Sequence, residues 1–295
     1  MTNVRPRRSA LYLPASNSRA VEKAKQLASD VVILDLEDAV SPDAKVGARE
    51  QACSAVVGRY FGSREVVVRI NGVGTPWFEH DLVQTAQTCP DALLIPKVEG
   101  PAQVLAVARA LEAVEAARQV AIWCMLETPR GVLAADCIAG AHERVACLVM
   151  GTSDLTSDLR AQHTQDRSPL FASLGLCMLA ARANGKAVLD GVFLDLSNDA
   201  GFQAACEQGR QFGFDGKTLI HPRQIETCNA VFSPSDSEID CARKVIDAYT
   251  TARSEGRGVA LFNGRLVEEL HVREAQRTLA LARAIGSTNI AGREA

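Results

Sequence analysis

Two carboxylates carry the sharpest chemical signal in this chain. Glu127 closes the apolar run "QVAIWCMLET", and Asp154 follows the apolar part of "RVACLVMGTSD". Both runs read as buried strands, where a charged side chain needs a specific partner. Carboxylates presented from neighbouring strand ends form a seat for a hard divalent cation. Mg²⁺ keeps one or two protein carboxylates and leaves its other positions to water and substrate oxygens, so this sparse pair points to catalysis rather than to a structural metal. Other polar and charged residues fall at comparable places: Asp35, Glu37 and Asp38 at a second strand end, Arg69 and Asn71 at a third, Lys97 at a fourth, Asp195 at a seventh and His221 at an eighth. Singly, each is better explained as a buried ion pair or a loop cap. Together they form an acidic cluster with one arginine and one lysine, which suits a metal site with an anion clamp.

The elements that must position these residues alternate along the chain. Short β-branched runs at 9–13, 31–36, 66–70, 92–96, 120–126, 145–150, 191–196 and 217–220 are separated by helical patterns near 18–29, 43–60, 77–88, 101–117, 131–140, 170–184, 199–212 and 222–231. Eight such units predict an α/β fold, a (β/α)₈ TIM barrel, whose active site lies at the C-terminal ends of the strands. The barrel is expected over 1–231, with a C-terminal helical extension over 232–295 built from helices at 236–254 and 265–285 and a glycine-rich joint, "SEGRGVALFNG". That extension reads as a lid or oligomerisation arm, or as a helix pair that closes one barrel end.

Composition narrows the class. With 295 residues, 47% hydrophobic and 23% charged, one large core is expected. A formal net charge of -3 offers no general attraction to nucleic acid or to an anionic membrane. Nine cysteines stand singly with no C-x-x-C pair, as in a reduced cytoplasmic protein. No signal peptide is evident after "MTNVRPRRS", and no apolar run reaches the ~18 residues of a membrane span.

The ordered segments "SALYLPASNSRAVEKA", "VVILDLEDAV", "VVVRING", "LLIPKVEG", "LETPRG", "GTSDL" and "GFDGKTLIHPRQI" resemble the citrate lyase beta subunit-like branch of the HpcH/HpaI aldolase superfamily. Malyl-CoA lyases and malyl-CoA thioesterases look most similar, over about residues 8–285. The resemblance implies that Glu127 and Asp154 bind Mg²⁺, with Mn²⁺ as an alternative ion, and that Arg69 holds the substrate's carboxylate and carbonyl oxygen. It implies that Tyr12, Arg19 and Lys23 contact coenzyme A, which enters as part of the substrate. Thr218 and Leu219 fall where the family lines the substrate pocket with main chain. Asp35, Glu37 and Asp38 are expected to support Arg69 or metal-bound water, and His221 to be a fixed hydrogen-bonding element.

One segment departs from the family pattern. Where the family carries its acid/base aspartate in "G-K-M-V-D-x-P", donated to a neighbouring subunit, this chain reads "GRLVEEL", which puts Glu268 at that position and Leu270 at the usual proline. Glu268 is therefore the candidate acid/base, and a solvated glutamate at a helix start is the alternative. The implied activity is a Mg²⁺-dependent CoA-ester lyase that splits a malyl-CoA-like 3-hydroxyacyl thioester into acetyl-CoA and glyoxylate, or homologues of each. Thioester hydrolysis on the same site, an aldolase acting on free 2-oxo acids, and a non-catalytic subunit are the alternatives. Donation in trans implies a homo-oligomer, a trimer or hexamer by family resemblance.

Overall fold

The computed structural model of the chain describes residues 4–291. Eight parallel strands, β1 Ser9–Pro14, β2 Val31–Asp35, β3 Glu65–Arg69, β4 Ala92–Ile95, β5 Ala121–Leu126, β6 Val145–Met150, β7 Ala187–Asp190 and β8 Gly216–Leu219, form a closed barrel in sequence order. The seam joins β1 to β8 through the pairs Ser9–Lys217, Ala10–Thr218 and Leu11–Leu219. The predicted (β/α)₈ TIM barrel is the fold observed.

Strands covered on both faces explain the near-continuous apolar runs. Ala10, Val31, Ile33, Val67, Leu94, Trp123, Cys147, Val149 and Leu189 fill the interior. The opposite faces of the strands pack with the surrounding helices into a second, larger apolar layer. At the N-terminal end Arg7 makes two hydrogen bonds to Glu65, 2.7 and 2.8 Å, and lies over the Trp123 ring. Arg8 clasps Asp30 through its backbone N–H and its guanidinium, tying the starts of β1 and β2 together.

Three expectations need correction. The seventh strand is Ala187–Asp190 rather than 191–196. Asp190, the last residue of the strand, is fully buried, and Lys217 Nζ and Arg167 Nη1 donate to it at 2.8 and 2.7 Å. Asp195 consequently ends no strand. It is exposed in the following loop, where its carboxylate accepts from the Ser197 N–H and hydroxyl. The expected helix at 131–140 is two short helices, Pro129–Leu133 and Ala135–Ala139.

The chain divides into two compact units, Arg7–Phe232 and a second that contains the segment from Ser233 onward. In the second unit the helix Asp236–Ser254 begins with a reciprocal cap between Ser235 and Glu238. The expected joint and the start of the next helix are instead a β-hairpin, β9 Ala260–Phe262 and β10 Arg265–Val267, which leads into the helix Glu269–Ala291. Asn263 and Gly264 both have positive φ, 48° and 71°, the pairing that a two-residue turn between twisted strands requires. Ala252, Ala260, Val267 and Val272 form this unit's own small core. Among the described residues no helix is long and apolar enough to cross a membrane.

Candidate active site

Strand register builds the site. Asp35 and Arg69 are direct partners on β2 and β3, so both point into the barrel mouth. Arg69 Nε and Nη2 donate to the two Asp35 carboxylate oxygens at 2.6 and 2.7 Å, a planar fork that fixes the guanidinium. The same carboxylate accepts from the backbone N–H groups of Glu37 and Ala39, folding the loop after β2 back over Arg69. Lys45 Nζ pins that loop from its far side by donating to the carbonyls of Leu36 and Glu37, both at 2.8 Å. Arg69 Nη1 then lies 2.9 Å from Glu37 Oε2, although without hydrogen-bond alignment, and donates to Asp38 Oδ2 at 3.2 Å. Tyr12, on β1, supports the guanidinium from beneath, with its ring 4.8 Å away. The expected supporting role of Asp35, Glu37 and Asp38 thus has a geometry: three carboxylates hold Arg69.

Glu127 immediately follows β5 and is fully buried. Its Oε1 accepts the backbone N–H of Lys97 at 2.8 Å, while Oε2 is a buried acceptor with no hydrogen-bond partner. Burial, then the charges of Asp154 and Glu37, push the Glu127 carboxyl up to about 8, against the pull of Lys97. Asp154 stands in the first turn of the helix Thr152–Asp158, which the sequence did not suggest, rather than on a strand end. Gly151 makes room for the pair. A Cβ there would sit 2.3 Å from Glu127 Cβ and 2.6 Å from Oε2. An unpartnered carboxylate oxygen beside a second carboxylate fits a hard cation that takes few protein ligands. Among the described residues no group of three or more His, Cys, Asp or Glu could hold a metal, so any ion here would have to take its remaining ligands elsewhere.

Lys97 bridges the two halves. Its backbone bonds Glu127, its Nζ donates to Glu37 Oε1 at 3.1 Å, and its φ of 50° is left-handed. Burial lowers the Lys97 ammonium, but Glu37 outweighs it and leaves the group above its ordinary value. Burial likewise raises Glu37, opposed first by Arg69.

The remaining expected residues are placed as follows. Thr218 is buried on the barrel seam, its register partner Ala10 an interior residue, and its hydroxyl donates to the Asp190 carbonyl at 3.1 Å. The Leu219 side chain belongs to the outer apolar layer, so only its main chain is left for a ligand. Arg19 and Lys23 are exposed on the helix Ser18–Ala24. His221 Nδ1 accepts from the Arg223 N–H, a fixed loop cap. Glu268, in the second unit, is exposed just before the helix Glu269–Ala291, where its N–H donates to His271 Nδ1 at 3.0 Å. Sequence reasoning missed the backbone role of Lys97, the space kept by Gly151, and the Asp190–Lys217–Arg167 cluster. The glycine of "GTSDL" was the one available signal for the second.

Over 282 residues the chain is 46% identical to (3S)-malyl-CoA thioesterase of Cereibacter sphaeroides, covering 96% of each chain. It is 31% identical to the L-malyl-CoA/beta-methylmalyl-CoA lyase of the same species, covering 92% of this chain and 93% of that one. Among solved structures, protein CitE from Mycobacterium tuberculosis, in complex with magnesium, acetoacetate and coenzyme A, superposes with a TM-score of 0.75 at 32% identity, covering 93% of this chain and 97% of that chain. Residues 8–222 match the family described as HpcH/HpaI aldolase/citrate lyase, and the chain belongs to that family.

Proposed function

We propose that this protein is a Mg²⁺-dependent hydrolase of a malyl-CoA-like 3-hydroxyacyl thioester. The observation that carries this reading is the 46% identity to a (3S)-malyl-CoA thioesterase across 96% of both chains. The site is suited to the task. Glu127, with its unpartnered oxygen, and Asp154 would hold Mg²⁺, with Mn²⁺ as the alternative ion. The ion supplies a Lewis acid for the oxygens of the hydroxy acid end. Arg69 is locked by Asp35 through Nε and Nη2, which leaves its remaining Nη N–H groups to donate to the substrate carboxylate. The main chain at Thr218 and Leu219 lines the acyl end. Tyr12 is half-buried with its ring beside the Arg69 guanidinium, and its shielding from water raises its phenol well above the ordinary value, so it can donate but not act as a base. Arg19 and Lys23 are the exposed cations offered to the coenzyme A phosphates.

Hydrolysis adds one water to the thioester carbonyl. A base takes one proton of the water as its oxygen bonds the carbonyl carbon, the C–S bond then breaks, the proton passes to the departing sulfur, and malate and free CoA leave. Glu268, donated by a neighbouring copy of the chain, is our candidate for that base, which makes a homo-oligomer, trimer or hexamer, part of the proposal.

Carbon–carbon cleavage is the second reading, favoured by the 31% relative that is a malyl-CoA lyase. The sequence motifs placed it first, and the higher-identity relatives move hydrolysis ahead of it. Incubation with Mg²⁺ and malyl-CoA separates the two. Malate with free CoA is the expected product; glyoxylate with acetyl-CoA would replace hydrolysis by cleavage.

A further inference from the structure

We propose that Lys97 is a positioning residue that holds the two halves of the site in one register, fixing Glu127 with its backbone N–H and, through Glu37, fixing Arg69 with its ammonium. This inference rests on the reading of Glu127 as a metal ligand and of Arg69 as the substrate clamp.

The backbone half comes from an unusual conformation. β4 stops at Ile95, Pro96 follows, and Lys97 then adopts φ of 50°, which residues with a Cβ seldom take. The turn is held from both sides. Lys97 N–H donates to Glu127 Oε1 at 2.8 Å, the Val98 N–H donates to the Met125 carbonyl at 3.2 Å, and Gln103 Nε2 donates to the Lys97 carbonyl at 3.4 Å. Gln103 Oε1 also accepts the Glu99 N–H at 2.7 Å, closing the loop on itself. Strained backbone that the surroundings over-determine is characteristic of functional sites. Here it aims one N–H at the single oxygen of Glu127 that is not left open.

The side-chain half runs the other way. Nζ lies 3.1 Å from Glu37 Oε1 and 3.9 Å from Asp38 Oδ1, and Glu37 Oε2 lies 2.9 Å from Arg69 Nη1. Glu37 is buried, so without Lys97 its carboxylate would keep Arg69 as its ion-pair partner while still facing Asp38. An exposed lysine that merely neutralised surface charge would be dispensable. One that sets a buried carboxylate against the clamp is not.

The two halves are separable, because side-chain substitution keeps the N–H. Lys97→Met and Lys97→Gly are therefore expected to bind Mg²⁺ alone within about twofold of wild type by calorimetry. Both should lose on the order of tenfold in kcat/KM, chiefly through KM, and a similar factor in calorimetric binding of malate in the presence of Mg²⁺. Lys97→Gly also relieves the left-handed strain, so it should unfold at no lower temperature than Lys97→Met, and Lys97→Arg should recover part of the loss. Unchanged malate binding and kcat/KM in Lys97→Met would overturn the inference, as would Mg²⁺ binding weakened as much as malate binding. A wild-type protein that binds both ligands yet hydrolyses no thioester overturns only the hydrolase reading. One that binds neither overturns both.

Discussion

Gly151→Ala tests whether the space beside Glu127 is part of the site's design. The Gly151 φ of -98° is open to any residue, so the effect of a methyl group is purely steric. That methyl would stand 2.3 Å from Glu127 Cβ, 2.6 Å from Glu127 Oε2 and 3.0 Å from Met125 Cε. Carbon atoms pack comfortably at about 3.5–4.0 Å, so the first overlap exceeds ~1 Å. Glu127 Cβ is fixed to the backbone and cannot rotate away, so β5 and the Gly151 segment must part. Overpacking of this kind costs about 1–3 kcal/mol, partly offset by the ~0.4–1 kcal/mol gained from a less flexible unfolded chain. Displacement of a catalytic group by ~1 Å costs on the order of 10²-fold in rate. We therefore expect Gly151→Ala to fold with a modestly lower Tm, to bind Mg²⁺ more weakly by calorimetry, and to lose roughly 10²-fold in kcat/KM for thioester hydrolysis. A variant with wild-type kcat/KM and wild-type Mg²⁺ affinity would refute the reasoning.

Further expectations concern metal, acid and assembly. Mg²⁺ at about 100 times its Kd should stabilise the wild type by ~2.7 kcal/mol in thermal unfolding and leave Glu127→Gln unmoved; an equal shift in both would place the ion elsewhere. Burial raises the Asp190 carboxyl, but Lys217 and Arg167 outweigh it and hold Asp190 below its ordinary value. Its stabilisation is thus present above the unfolded-state value of about 4 and fades as the pH falls through the lower folded value. Asp190→Asn should cost ~3–5 kcal/mol at neutral pH by stranding buried Lys217, and the gap should narrow in urea melts below about pH 4. A gap independent of pH would contradict this. Mixing inactive Glu268→Ala with inactive Arg69→Ala should restore activity at roughly a quarter of the sites if Glu268 is donated in trans, and no recovery in demonstrably mixed oligomers would rule that donation out.

Much of the barrel was legible because its strands are apolar on both faces and its helices on one. Glu127 and Arg69 stood out for the same reason, as charges at the ends of apolar runs. The seventh strand was placed at 191–196, whereas it ends at Asp190, a buried charge whose partners Lys217 and Arg167 lie far away in sequence and only the fold brings to it. Asn263-Gly264 carries the turn chemistry of a hairpin, but the neighbouring glycines made the segment resemble a loose joint. The contribution of Lys97 could not be read at all. It resides in a backbone N–H turned by a positive φ, and the identity of the side chain says nothing about where that N–H points.

The seam between β1 and β8 has a consequence for how the chain is made. Ser9–Leu11 can pair with Lys217–Leu219 only after nearly the whole barrel has emerged. At roughly 5–20 residues per second, synthesis leaves β1 waiting on the order of 10–40 s with one hydrogen-bonding edge bare. Bare edges recruit strands from other chains. The Arg8–Asp30 clasp reaches across only 22 residues, so β2 can cover the other edge of β1 early and leave only the β8 side open. Weakening the clasp should therefore lower the soluble yield from translating ribosomes more than it lowers the stability of the finished barrel.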